Sequence, residues 1–223
     1  PSHESRPPPA RKRVATIGQR RSPSFLLIVH GGAGVIERAD MAPDVESAYC
    51  AGLTSVLLPG HAFLAPGGNS LDAVAAAVCV LEDDSLFNAG RGAVFTAEGR
   101  NELEAAIMDG ATLRAGAATL LTTVKNPVLA ARLVMEKTQH VMLAGQGAEA
   151  LARAHGLAIV DPAYFHTERH FQALRRLQRS ADATKATEAE KHGTVGAVAL
   201  DVHGNLAAAT STGAGRWPTR RSR

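Results

Sequence analysis

Apolar and polar positions alternate along the chain in blocks that predict both strands and helices. The continuous run SFLLIVHGGAG (residues 24–34) predicts a buried strand that enters a tight glycine loop. Residues 43–58 carry apolar positions at helical spacing. The stretch GGNSLDAVAAAVCVLEDD (residues 67–84) predicts a second helix, in which Asn69 is the N-cap and Asp72 completes a capping-box arrangement.

The remaining blocks predict further strands and helices in mixed order. FNAGRGAVFTAEGRNELEAAIMDG (residues 87–110) predicts a glycine loop and two strands that turn at Glu98-Gly99, and GAATLLTT (residues 116–123) predicts another strand. A helix is expected from Asn126 and Pro127, followed by strand HVML, helix GAEALARAHG, strand LAIV and an Arg-rich helix from Thr167 to about Ser180. TVGAVALD and NLAAATST are expected to pair across the turn VHGN. Hairpins mixed with crossovers predict an α+β protein whose sheets are covered by helices.

Charge separates the ends of the chain from its middle. The formal net charge is +3 over 223 residues, but residues 23–213 alone carry 14 basic and 20 acidic side chains, a net of −6. The basic character therefore lies in residues 1–24, which we expect to be a disordered extension, and in the tail 214–223. A nucleic-acid partner would require basic residues clustered on a folded face, so none is expected.

The apolar runs are too short for a membrane span, and no signal peptide is recognisable at the start of the sequence, so no membrane partner is expected. Cys50 and Cys79 both fall in apolar helical patterns, and the simplest interpretation is two buried, reduced thiols. These features together predict a soluble, cytoplasmic protein.

One stretch resembles a nucleotide site. HVMLAGQGAEALARAHGLAIVD (residues 140–161) reads as strand, glycine turn, helix and second strand, with Gly145 and Gly147 in the turn and Asp161 at the end. This order is typical of a dinucleotide-binding unit. The alternative is that the two glycines only serve a tight turn between strand and helix, and this short, isolated unit favours the alternative.

Thr194 stands at a junction that could carry chemistry. It opens an apolar strand, follows Gly193 directly, and comes after the polar linker 180–193. If the chain were cut before Thr194, the new α-amine could act as general base for the hydroxyl of the same residue. A threonine is equally ordinary as a β-branched strand residue, and spacing alone does not decide between these interpretations.

Several ordered stretches resemble a known family. VHGGAG (29–34), NSLDAVAAAVCVLEDDSLFNAGRGAVF (69–95), IMDG (107–110), NPVLAARLVMEKTQHVMLAGQGAEALARAHG (126–156) and HGTVGAVALDVHGNLAAATSTG (192–213) are similar to the plant-type L-asparaginases, also called isoaspartyl peptidases, which are N-terminal-nucleophile hydrolases. The resemblance implies an αββα sandwich that cleaves itself between Gly193 and Thr194. Residues 25–179 would form the α-subunit portion, and residues 194–213 the start of the β-subunit.

The resemblance also implies roles for individual residues. Thr194 would be the nucleophile that hydrolyses L-asparagine and β-aspartyl dipeptides, Thr212 would position it, and Asn88 would lie close to it. The loop from Leu81 to Arg91 would hold a structural sodium ion, and the metal-site residues are Leu81, Glu82, Asp84, Phe87, Ala89 and Arg91. No cofactor would be needed for catalysis, and the family implies a homodimer of αβ units.

Two departures from the family pattern bear on activity. Glu104 stands where the family usually has Asp, which is a mild change. After Gly213 the sequence AGRWPTRRSR replaces the family's substrate-binding and oxyanion-stabilising segments. We therefore expect either a divergence of the reading frame near Ala214 or, as an alternative function, an inactive truncated relative.

Overall fold

The computed structural model describes residues 25–32, 41–179 and 193–213. The predicted extension 1–24, the tail 214–223 and the linker apart from Gly193 lie outside these residues. The strands are β1 (Leu26–His30), β2 (Leu103–Asp109), β3 (Arg114–Leu121), β4 (Met142–Ala144), β5 (Val195–Leu200) and β6 (Leu206–Gly213). The helices are α1 (Pro43–Leu64), α2 (Ser70–Asp83), α3 (Pro127–Lys137), α4 (Gly145–Ala154) and α5 (Glu168–Arg179).

A single six-stranded sheet, in the order β1-β5-β6-β2-β3-β4, organises the described residues. All neighbouring strands are antiparallel except β3 and β4, which are parallel. The predicted pairing of β5 with β6 across VHGN is confirmed. The central position of these two strands means that residues from the far end of the sequence complete the middle of the sheet.

Helices pack on one face of this sheet, which we call the inner face. Alternate β5 residues Val195, Ala197 and Ala199 are buried there against α2, while α3 covers β2 and β3. The α+β class is thus confirmed. On the opposite or outer face, large apolar side chains such as Ile28 and Val198 remain exposed among the described residues. The second sheet and second helix layer of an αββα sandwich are not among the described residues.

The start of α2 is fixed by two caps, one local and one from the far end of the chain. Asn69 Oδ1 accepts a hydrogen bond from the Asp72 N–H at 2.7 Å, as the sequence predicts. Asp201, in the β5–β6 turn, accepts the Ser70 N–H at 3.1 Å and also the N–H groups of His203 and Asn205. Desolvation alone would raise the pKa of Asp201, but these backbone donors outweigh it and the pKa is lowered.

Three sequence-based expectations are wrong. Residues 93–97 form no strand, so only the second strand of the pair expected around Glu98-Gly99 exists, as β2. The segment LAIV makes only an isolated bridge between Val124 and Ile159. Both cysteines are free, as expected, but neither is fully buried: Cys79 in α2 is half-buried, and Cys50 is exposed because α1 turns Gly52, Val56, Gly60 and Leu64 inward instead.

Within the described ranges, the helices are all too short or too polar to cross a membrane.

Candidate active site

Thr194 lies at the start of β5, at one end of the sheet. It is exposed, whereas Val195 beside it is completely buried on the inner face. Side chains alternate along a strand, so Thr194 and Gly196 belong to the outer face. The junction between linker and strand is therefore open to attack from the outer side of the sheet.

The antiparallel register relates Thr194 to Thr212. Val195 pairs with Ser211, and Gly196 pairs with Thr210. Continuing this register by one residue sets Thr194 opposite Thr212. Directly opposite residues on one face have Cβ atoms about 4.5–5.5 Å apart, and this is the spacing that the two threonines would have if the pairing continued beyond Val195.

The glycine loop after β1 lies against the bond before Thr194. A Cβ added at Gly32 would sit 3.5 Å from the Gly193 carbonyl oxygen and 3.8 Å from its carbon. Gly32 has φ +133°, a conformation that favours glycine. At Gly31 a Cβ would lie 2.5 Å from Cε1 of Phe87, so that position has no room for a side chain. These distances set the glycine loop beside the residue that precedes Thr194.

Asn88 makes two contacts with the end of β6 and one with Val94. Its Nδ2 lies 3.5 Å from Thr212 Oγ1, and its Oδ1 accepts the Val94 N–H at 3.1 Å. Its main-chain oxygen accepts the Gly213 N–H at 3.3 Å. Asn88 is 8% exposed, so these contacts are largely shielded from water. The predicted pair Asn88 and Thr212 is thus brought together.

The predicted sodium loop, Leu81 to Arg91, joins the end of α2 to the segment that carries Asn88. Two glycines in and beside it pack directly on main-chain carbonyl groups: a Cβ at Gly90 would overlap the Glu82 oxygen, and a Cβ at Gly92 would overlap the Phe87 oxygen. Carbonyl oxygens are ligands suited to a hard cation. Among the described residues, no group of three or more His, Cys, Asp or Glu side chains forms a metal site. The donors available in this loop are therefore mainly backbone oxygens.

The sequence-based expectations name Glu82 only in the sodium loop. They do not predict a role for the buried side chain of this residue, which lies beneath β6. Glu82 is fully buried, and its Oε1 accepts the Val128 N–H at 2.9 Å, which caps the first turn of α3. Burial raises the pKa of Glu82 to about 8. Asn126 occupies the N-cap position of α3, but its side chain makes no cap hydrogen bond there. The side chain of Glu82 supplies the acceptor instead.

The dinucleotide interpretation finds no support in the structure. The residues before α4 form a three-residue edge strand, and the stretch leading to Asp161 is not part of the sheet. Asp161 instead caps a short 3₁₀ turn by accepting the Ala163 N–H at 2.8 Å. Helix α4 is pinned by Glu149, whose Oε1 accepts from the backbone and hydroxyl of Thr122 and the backbone of Thr123. Gly145 and Gly147 lie in the first turn of α4.

Comparison with known proteins agrees with the resemblance. A family model described as Asparaginase matches residues 23–217. The chain is 46% identical over 194 residues to the isoaspartyl peptidase of Escherichia coli (strain K12), which covers 84% of this chain and 60% of that protein. It is 45% identical to the isoaspartyl peptidase of Salmonella typhimurium (84% of this chain, 62% of that protein). It is 42% identical to the human isoaspartyl peptidase/L-asparaginase (84% and 60%). The chain thus spans about three-fifths of the length of these relatives.

Proposed function

The chain belongs to the asparaginase family, and from that premise we propose that it is a self-cleaving, threonine-dependent amidohydrolase. Its substrates would be L-asparagine and β-aspartyl dipeptides. The observation that carries the proposal is the junction at Gly193–Thr194. Thr194 is exposed directly before β5, one residue beyond the pair Val195–Ser211 and so in line with Thr212, and the Gly193 carbonyl lies beside the loop at Gly32.

Self-cleavage would proceed by transfer of the Gly193 acyl group from the nitrogen of Thr194 to its hydroxyl oxygen. Thr194 Oγ attacks the Gly193 carbonyl carbon, the C–N bond breaks, and the hydroxyl proton ends on the Thr194 nitrogen. The α-amine of Thr194 is free from this point. Water then hydrolyses the ester, which releases Gly193 as a carboxylate and restores the Thr194 hydroxyl. An α-amine titrates near 8, so at neutral pH it can serve as a general base.

In turnover the same hydroxyl would attack the side-chain carbonyl of the substrate. The Thr194 α-amine takes the hydroxyl proton and passes it to the leaving ammonia or amino acid. A water molecule then resolves the acyl-enzyme. Thr212 would hold the nucleophile in the attacking orientation, and Asn88 would hold Thr212 through the contact at 3.5 Å. Orientation of this kind supplies a large part of the rate in covalent catalysis.

A sodium ion in the Leu81–Arg91 loop is a further part of the proposal. The chemistry of the segment supports it, since backbone carbonyl oxygens are ligands that suit a hard cation. The carbonyl groups of Leu81, Glu82, Asp84, Phe87, Ala89 and Arg91 would hold the ion. Its contribution would be structural: it would fix the segment that carries Asn88. Melting the protein in sodium and in lithium or tetramethylammonium chloride at equal ionic strength tests this.

We also propose a cytoplasmic homodimer of αβ units. The two unpaired cysteines, Cys50 and Cys79, support a reducing compartment. The dimer rests on the family resemblance and is tested by light scattering of the purified protein.

The activity is tested with the full chain and with Thr194→Ala and Thr194→Ser variants. Release of aspartate from a β-aspartyl dipeptide and of ammonia from L-asparagine would be followed. The proposal expects activity in the parent, reduced activity in Thr194→Ser and none in Thr194→Ala. Absence of both activities in a folded parent would favour the inactive alternative.

A further inference from the structure

The outer face of the sheet is crossed by one line of polar side chains, which we call the polar row. It consists of Thr194 before β5, Thr212 on β6, Glu104 on β2 and Thr119 on β3. Glu104 pairs directly with Thr212, and the register of β5 with β6 sets Thr194 on the other side of Thr212. The next residues of β2 on this face, Ala106 and Met108, are apolar. A half-buried carboxylate in such surroundings is costly unless it has hydrogen-bond partners.

The far end of the row is held by a strained bulge. Leu103 pairs with Leu121 and Ala105 with Ala118, so Glu104 faces the two residues Thr119 and Leu120. Leu120 takes a left-handed backbone conformation with φ 55°, which a non-glycine residue adopts at a cost. Bulges commonly re-aim a side chain near a functional site. Here the Thr119 hydroxyl donates to Glu104 Oε1 at 2.9 Å.

That bond occupies one carboxylate oxygen of Glu104 and does not involve the second. Thr212 Oγ1 is contacted by Asn88 Nδ2 at 3.5 Å. Among the described residues, the acceptor recorded for the Thr212 hydroxyl is the neighbouring Gly213 oxygen, 3.4 Å away, which is a long hydrogen bond. Glu104 is the cross-strand neighbour of Thr212, and a short rotation of either side chain would join them.

We propose that Glu104 is a positioning residue that accepts the hydrogen bond of the Thr212 hydroxyl. With its proton held by Glu104, Thr212 Oγ1 presents its lone pairs to Thr194, first to the hydroxyl and, after cleavage, to the α-amine. Glu104 exchanges no proton in this scheme, and Thr119 holds it in place. The inference rests on the proposed function, because it concerns the same nucleophile.

Glu104→Gln tests the inference directly. Gln keeps the shape and an acceptor for Thr119 but offers an N–H to Thr212, so the hydroxyl is oriented the wrong way. We expect self-cleavage and kcat to fall by about 10–100-fold with KM changed less than about twofold, since only orientation is lost. Glu104→Asp keeps the carboxylate and should recover most of the rate. Glu98→Gln, in an exposed turn, is the matched control and should behave as the parent.

If Glu104→Gln does not fold stably, Thr119→Val is a second variant that tests the same polar row. The fall in kcat and in the rate of self-cleavage should be smaller for Thr119→Val, about 3–10-fold. The double variant should be no slower than Glu104→Gln alone, because both changes break one connected row. Melting temperatures of all variants separate a structural role from a positioning role. A purely structural residue would lower the melting temperature and leave kcat of the folded enzyme unchanged.

These experiments distinguish failure of this inference from failure of the proposed function on which it rests. If the parent cleaves itself and turns over substrate while Glu104→Gln does both at the parental rate, only the role of Glu104 is overturned. Additive losses in the double variant would also overturn it. If the parent, correctly folded, does neither, the proposed function and this inference fall together.

Discussion

Gly32 and Gly193, far apart in sequence, lie beside one another in the fold: a Cβ built on Gly32 would meet the Gly193 carbonyl oxygen at 3.5 Å, an ordinary van der Waals distance. This contact links the glycine loop after β1 to the bond that we propose is cleaved. A carbonyl about to be attacked must be held still, and a neighbouring backbone without side chains allows close approach on that side.

Replacing Gly32 by Ala should slow self-cleavage. The residue has φ +133°, so a side chain there strains the loop and displaces it from Gly193. We expect a fall of about 10-fold or more in the cleavage rate. The rate is measured by intact mass over time after purification. Gly147→Ala is the control, since a Cβ at Gly147 meets nothing within 4 Å. Equal rates in the two variants would remove the glycine loop from the mechanism.

Asn88→Ala should impair both stability and turnover. It removes the acceptor for the Val94 N–H and the contact with Thr212 Oγ1. We expect a loss of about 1–3 kcal/mol in the free energy of unfolding and a fall of about 10–100-fold in kcat. Chemical denaturation and steady-state kinetics measure the two effects.

Asn101→Ala is the matched control for Asn88. The Asn101 side chain donates to the carbonyl oxygens of Ala93 and Val94, so it holds the same segment without touching Thr212. Its loss should lower stability by a similar amount and leave kcat of the folded protein near the parental value. A comparable fall in kcat would mean that the segment's rigidity, and not the Asn88–Thr212 contact, matters for turnover.

The sequence predicts those parts of the fold that depend on residues close together in the chain. The cap of α2 by Asn69 and the hairpin turn before β6 are local features, and both are confirmed. The segment AVFT (residues 93–96) falls where the sequence predicts the first of two strands around the turn at Glu98-Gly99. In the structure, side chains of Asn88 and Asn101 satisfy its backbone instead of a neighbouring strand. Propensity within the segment carries no information about such distant partners.

Prediction of the candidate active site has the same limit, because some of its contacts join residues far apart in the sequence. Gly193–Thr194, Thr212 and Asn88 could be named from the resemblance, but the row through Glu104 depends on strand pairing across more than a hundred residues. The bulge that turns Thr119 toward Glu104 requires an unfavourable conformation at Leu120, which no sequence rule would assign to leucine. Long-range register and local strain are properties of the assembled sheet.

Leu120→Gly should stabilise the protein. Leu120 has φ 55° and is 47% exposed, so we expect the backbone strain that glycine relieves to outweigh the loss of the buried part of the side chain. We expect a gain of about 0.5–1 kcal/mol in the free energy of unfolding, measured by urea denaturation. Ala117→Gly, on the same strand in an ordinary strand conformation, should instead lose about 0.5–1 kcal/mol. A loss of stability in both variants would show that the bulge is not strained.

Asp201→Asn should lower stability in a pH-dependent way. The pKa of Asp201 is lowered in the folded protein, so its ionised form stabilises the fold above the unfolded pKa near 3.8. That contribution is lost as pH falls through the lower, folded pKa. We expect Asp201→Asn to be less stable by about 1–2 kcal/mol at neutral pH. The difference should close as pH falls below about 4. A difference independent of pH would contradict the charged cap on α2.

The most direct test is the intact mass of the purified full chain and of its Thr194→Ala variant. The proposal predicts that the parent separates into two fragments, one ending at Gly193 and one beginning at Thr194, and that Thr194→Ala remains a single chain. An uncut parent, or a variant cut at the same bond, would contradict the claim that Thr194 is the nucleophile.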